Sequence, residues 1–138
     1  MFENIVVGTD GSDAANKAVE KALQLAKEQG ATLHVITVVN TSRYGEPALS
    51  STELVLNELE DRAHKQLVEI EDEAAGRGVD AVTKYFHGRP CRELLDYADE
   101  IDCDLIVLGY QGRTHAGSDI GSTANRVIRD TDRSVMLV

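Results

Sequence analysis

The chain has 138 residues, 14 basic and 24 acidic, for a net charge of −10; 42% of it is hydrophobic, only 4% is aromatic and tryptophan is absent. This suits one domain over residues 1–138 with an aliphatic core. It excludes the basic surface that nonspecific nucleic-acid binding or docking on anionic lipid requires, and no apolar run approaches a membrane span.

Strand and helix signals then alternate along the chain. Asn4 to Thr9 (NIVVGT) is β-branched and apolar, a buried strand. Residues 12–29 repeat apolar side chains at 15, 18, 19, 22 and 26, one face of a helix capped by Ser12 and ended by Gly30. Thr32 to Val39 (TLHVITVV) is a second buried strand, and 40–51, with Gly45 and Pro47, reads as a loop. A long helix is predicted from about Thr52 to Gly76, with Leu56, Leu59, Ala63, Leu67, Ile70 and Ala74 facing inward. Val79 to Phe86 alternates as a third strand, Arg89 to Glu100 is a short helix, and Asp104 to Gly109 is a fourth strand. A helix over Ser122 to Asp130 and a final strand, SVMLV, complete the chain. The alternation predicts an α/β sandwich with a mostly parallel sheet.

In open sheets of this kind ligands bind beyond the carboxyl ends of the strands, where the strand order reverses. Two strand ends stand out. The first closes on GTDGS (8–12), and the fourth on LGYQGRTHAGSDIGS (108–122), which holds four glycines. Glycines let backbone N–H groups approach an anion and form a nest, and a following helix adds its unsatisfied N–H groups and the positive end of its dipole. On that chemistry Gly121, Ser122 and Thr123 would meet a phosphate, with Arg113 completing the contacts. Gly109 and Gly112 would let a nucleoside lie against the strand end. Asp10, flanked by Gly8 and Thr9, would accept hydrogen bonds from a ribose or hold Mg²⁺ through oxygen. The plainer reading is that these glycines only turn the chain and that Ser122 only caps a helix. GxxxxGK followed by Ser or Thr is absent, as is GxGxxG after the first strand, and Gly8 stands where aspartyl phosphotransfer would need an Asp.

Taken in order, IVVGTDGS, TLHVITVV and GYQGRTHAGSDIGSTANRVIRDTDRSVMLV resemble the universal stress protein family over the whole chain. The resemblance implies an open five-stranded parallel sheet in the order 3-2-1-4-5 with helices on both faces, of the adenine nucleotide alpha hydrolase-like kind. It implies a homodimer through the C-terminal strand 133–138, and in the ATP-binding branch a site for ATP (or ADP or AMP) with Mg²⁺. By matching motif positions, Asp10 would contact ribose or metal, and Val35 would meet adenine through its backbone. Leu108 and Gly109 would line the adenosine; Gly112, Gly121, Ser122 and Thr123 would cradle phosphates. Two departures stand out. Eight residues separate Gly112 from Gly121 where the family pattern has nine, and Ser134 replaces a proline common before the last strand.

Other groups carry less. Cys91 and Cys103 lack metal-ligand spacing and read as reduced thiols. His34 reads as a packed residue beside the site, His64 as exposed on the long helix, and His115 as a solvated loop residue. MFENIVVG shows no signal peptide, so a cytoplasmic location is expected. Nine arginines against five lysines on an acidic chain suit a salt-rich cytoplasm and equally an ordinary acidic protein. The expected function is an ATP-binding regulatory stress protein that, with no base placed to activate water, hydrolyses slowly at most. It would act on a protein partner rather than on nucleic acid or membrane. Its rivals are a protein of the same fold that binds no nucleotide and works through protein contacts, and an adenylating enzyme. The latter lacks a phosphate-gripping SGGxDS after the first strand.

Overall fold

A computed structural model describes residues 1–40, 50–110 and 121–138, with 50–53 described as backbone only. In chain order the elements are β1 (Asn4–Gly8), α1 (Asp13–Gln29), β2 (Thr32–Val39), α2 (Ser50–Arg77), β3 (Ala81–His87), α3 (Pro90–Ile101), β4 (Leu105–Leu108), α4 (Ser122–Asp130) and β5 (Ser134–Leu137). The five strands form one parallel sheet in the order β3-β2-β1-β4-β5, with helices on both faces, as the resemblance implied.

The central strands are apolar on both sides because both faces are covered. Ile5, Val7, Leu33, Val35, Leu105 and Val107 pack under α1 and α2; Val6, Ile36, Ile106 and Leu108 pack under α3 and α4. Helix α1 meets the sheet through Ala15, Ala18, Val19, Ala22, Leu23 and Ala26, a stripe of mostly small side chains that permits close approach. Ser12 caps it by accepting from Ala15 N–H at 3.1 Å, and Gly30 ends it in the left-handed conformation.

Most boundaries move by a residue or two from the sequence expectation, and α2 begins at Ser50, inside the expected 40–51 loop; two of the shifts have a plain local cause. Val79 and Asp80 do not begin the third strand: Val79 N–H donates to Ala74 O at 2.9 Å, closing α2, and pairing starts at Ala81. Arg89 is the N-cap of α3 and Pro90 its first residue, the position where a missing N–H is harmless. Among the described residues no helix is long and apolar enough to cross a membrane. The strand order reverses between β1 and β4, so the turns after those two strands share one rim.

Candidate functional site

The β1 turn is built from the strand outward. Thr9 continues the β1 path: its N–H donates to Ile36 O at 2.9 Å, and its carbonyl accepts from Thr37 Oγ1 at 2.9 Å. Its hydroxyl accepts from Gly11 N–H at 3.3 Å, and Gly11 turns the chain at φ +79°. Asp10 stands exposed between them and its Oδ1 accepts from Ser12 N–H at 2.9 Å, an Asx turn that aims the carboxylate along the start of α1.

The β4 side meets this turn through two glycines. A side chain on Gly8 would begin 3.0 Å from Leu108 Cδ2, and one on Gly109 would begin 2.7 Å from the Ala14 carbonyl carbon. The first turn of α1 therefore seats directly on Gly109. Beyond it, Tyr110 N–H donates to Val138 O at 2.9 Å and Tyr110 O accepts from Gly121 N–H at 2.7 Å. That second bond joins the β4 end to the start of α4 at the rim.

Gly121 is the N-cap of α4, with φ −64° and ψ 152°. Gly121 has no side chain to cap that helix, and its first turn holds no acidic residue. Gly121 is buried, Thr123 half-buried and Ser122 exposed. A helix start of this kind presents N–H groups and positive potential to an anion.

The structure thus gathers Gly8, Thr9, Asp10, Leu108, Gly109, Gly121, Ser122 and Thr123 at the carboxyl rim of β1 and β4. Gly112, Arg113 and His115 lie outside the described residues. Val35 is not at the rim. It is fully buried and paired with Val7 on one side and Thr83 on the other, with four further residues of β2 above it. β2 continues past it to Val38 and Val39. Leu108 is a core side chain, 5% exposed, whose carbonyl accepts from Val138 N–H at 2.9 Å.

His34 is packed, but away from this rim. Its Nδ1 pairs with Tyr97 Oη at 2.7 Å and its Nε2 with Asn4 Oδ1 at 3.1 Å, at the start of β1. Burial, and secondarily Lys84, push its pKa below the usual histidine value. His64 is exposed yet packs against Tyr85, with ring centroids 4.6 Å apart and the planes tilted by 54°. Burial lifts the Cys103 thiol to about 11, which keeps it protonated.

For a metal, the described residues hold no group of three or more His, Cys, Asp or Glu side chains placed to bind an ion. Asp10 is a single exposed carboxylate at the rim, which suits Mg²⁺ brought on a polyphosphate with most of its other oxygens supplied by the ligand and water.

Two neighbours of the site escaped the sequence reading. Gln66, on α2, donates from Nε2 to Thr9 Oγ1 at 3.3 Å. Tyr110 joins the rim to the chain end by its main chain. Neither has a local sequence signal: Gln66 shows only as a polar position on a helix, and its partner lies 57 residues away.

Comparison with known proteins fits this geometry. The model of the universal stress protein family matches residues 1–138. A universal stress protein of Methanocaldococcus jannaschii is 34% identical over 140 residues, covering 100% of this chain and 82% of the relative. The structure of UspA from Lactobacillus plantarum superposes with a TM-score of 0.89 at 30% identity, covering 99% of this chain and 97% of that one. A universal stress protein solved in complex with cAMP superposes with a TM-score of 0.73 at 30% identity, covering 99% and 96%.

Proposed function

Since the chain belongs to the universal stress protein family, we propose that its β1–β4 rim binds an adenine nucleotide, ATP foremost, and that the bound state is a regulatory signal in a cytoplasmic stress-response homodimer. The observation that carries this is the start of α4: its N-cap is a glycine with no side chain to occupy the N–H groups, its first turn is free of acid, and it is set on the same rim as the Asp10 turn. The relative of 30% identity in complex with cAMP supports the adenine-nucleotide class.

In this reading the N–H groups of Ser122 and Thr123 and their hydroxyls hold phosphate oxygens, with Gly121 keeping that approach open. Gly112 and Arg113 complete the cradle. Asp10 accepts from ribose hydroxyls or holds Mg²⁺, which would neutralise phosphate charge. Gly8, Thr9, Leu108 and Gly109 form the floor beneath the nucleoside. Val35 is given no contact with adenine. β5 is paired with β4 on one side only, and its other edge is where a second copy would join; light scattering should then give twice the 15.0 kDa chain mass.

The test is to denature freshly purified protein, identify released nucleotide by mass spectrometry, and titrate ATP with Mg²⁺, ADP, AMP and cAMP by calorimetry. Gly121→Val with Ser122→Ala should weaken ATP binding by about a hundredfold or more, since it blocks the approach and removes a charge-assisted hydrogen bond. Unchanged affinity in that variant, with the fold intact by circular dichroism, would sink the site.

A second reading has one observation in its favour. Gly109 is demanded by Ala14 whether or not a ligand binds, so that glycine is no vote for a nucleotide. A protein of this fold acting through protein contacts alone would carry no nucleotide and show no heat with any of the four ligands.

A further inference from the structure

The turn after β1 is held from two directions. β2 fixes the main chain of Thr9, through Ile36 O and Thr37 Oγ1, both at 2.9 Å. The side chain of Thr9, in a residue 6% exposed, is reached by two donors at 3.3 Å, Gly11 N–H and Gln66 Nε2. Both carboxamide heteroatoms of Gln66 also lie 3.8 Å from the point where a Gly11 side chain would begin. Gly11 holds φ +79°, a conformation that most side chains resist. A side chain of α2 is thus laid along the inside of the turn that presents Asp10.

We propose that Gln66 is a positioning residue for this turn: it sets the Thr9–Gly11 conformation and thereby couples occupancy of the Asp10 turn to α2. The inference rests on the nucleotide reading above. Thr9 Oγ1 is shared between a donor inside the turn and a donor on the helix. A ligand drawn onto Asp10 that shifts the Gly11 amide also changes the acceptor that Gln66 uses. The coupling is reciprocal: whatever the α2 contact does for ligand affinity, the ligand does for α2. Half-exposed and at the middle of a long helix, Gln66 is otherwise replaceable by any helix-forming side chain.

Gln66→Met keeps the length of the side chain and removes the donor; Gln66→Ala removes both. ATP with Mg²⁺ is titrated into wild type and each variant by calorimetry, and hydrogen exchange of the α2 amides is followed with and without ATP. Both variants should retain a near-wild-type thermal midpoint and bind ATP about three- to tenfold more weakly, the scale of one lost hydrogen bond. Wild type should gain protection around 62–70 on binding ATP, and that gain should be lost in both variants. A merely structural role for Gln66 would leave the ATP-induced protection in place. Equal affinity and equal protection in Gln66→Met would overturn the coupling while leaving the nucleotide site standing. No ATP binding by wild type would overturn the site, and the coupling with it.

Discussion

The two ends of β1 use similar chemistry for opposite purposes. At the amino end, polar groups are consumed within the fold: His34 lies between Tyr97 and Asn4, and Asp104 Oδ2 accepts from the main-chain N–H groups of Glu3 and Asn4 at 2.7 and 2.9 Å. At the carboxyl end the main chain is consumed instead, by Ile36, Thr37 and Ser12, while Asp10, Ser122 and the start of α4 face outward. A carboxylate that collects main-chain N–H groups at the amino end closes the fold. At the carboxyl end the same motif orients an exposed group.

The largest effect that would sharpen this contrast is at Gly109. Gly109→Ala would place a methyl carbon 2.7 Å from the main chain of Ala14, which can move only if the first turn of α1 lifts. A loss of about 3 kcal/mol in urea unfolding is expected, at the upper end for overpacking. The damage should spread to the Asp10 turn, because Ser12 and Asp13 start the displaced helix. A stability change under about 0.5 kcal/mol would mean that the rim is less tightly seated than its geometry requires.

A smaller effect belongs to the buried pair at the amino end. Asn4 Oδ1 can only accept, so His34 Nε2 carries the proton and Nδ1 accepts from Tyr97 Oη. Tyr97→Phe should cost about 1 kcal/mol, leaving that nitrogen unpaired. The pH sign follows from the lowered pKa of His34. Below about 6.5 the unfolded chain takes up a proton that the folded chain resists. The contribution of His34 is therefore complete above that pH and declines as pH falls through the folded value. Denaturation series from pH 8 to 5 on wild type and His34→Asn should show the stability difference shrinking on the acid side. A pH-independent difference would contradict neutral burial.

The contrast also marks where sequence reasoning stopped. Hydrophobic periodicity located each of the described helices and strands, since a period near 3.6 or a short β-branched run is local information; α1 buried the predicted 15, 18, 19, 22 and 26. The strand order came from the resemblance of whole motifs, whereas the idea of a nucleotide arose first from the glycines of 108–122 and the helix start behind them. Depth was not legible. Nothing in TLHVITVV says that pairing of Gly8 with Ile36 sets Val35 below the rim; that register is a relation between two strands. Nor can a glycine announce its reason. Gly109 reads as room for a nucleoside, and the structure adds a demand the sequence did not show, room for α1, whereas Gly121, with a φ of −64°, takes no conformation that demands glycine.

The smallest expected effect tests the amino end most directly. Asp104 is an exposed carboxylate whose pKa is lowered first by the hydrogen bond from Asn4 N–H and then by that from Glu3 N–H. Because the folded pKa lies below the unfolded one, its stabilisation is present above about 3.9 and disappears as pH falls through the folded value. Asp104→Asn keeps an oxygen to accept one amide and loses the charge. At pH 7 it should be less stable by under about 1 kcal/mol, since solvent screens an exposed site. As pH falls through the folded value the wild-type advantage should vanish. Asp10 supplies the control within the same chain. Asp10→Asn should lower ATP affinity yet leave stability close to wild type, because its turn is anchored by Thr9 and Ser12. If Asp10→Asn instead destabilised the fold as much as Asp104→Asn did, the carboxyl-end carboxylate would be a closing group as well, and the division between the two ends of β1 would fail.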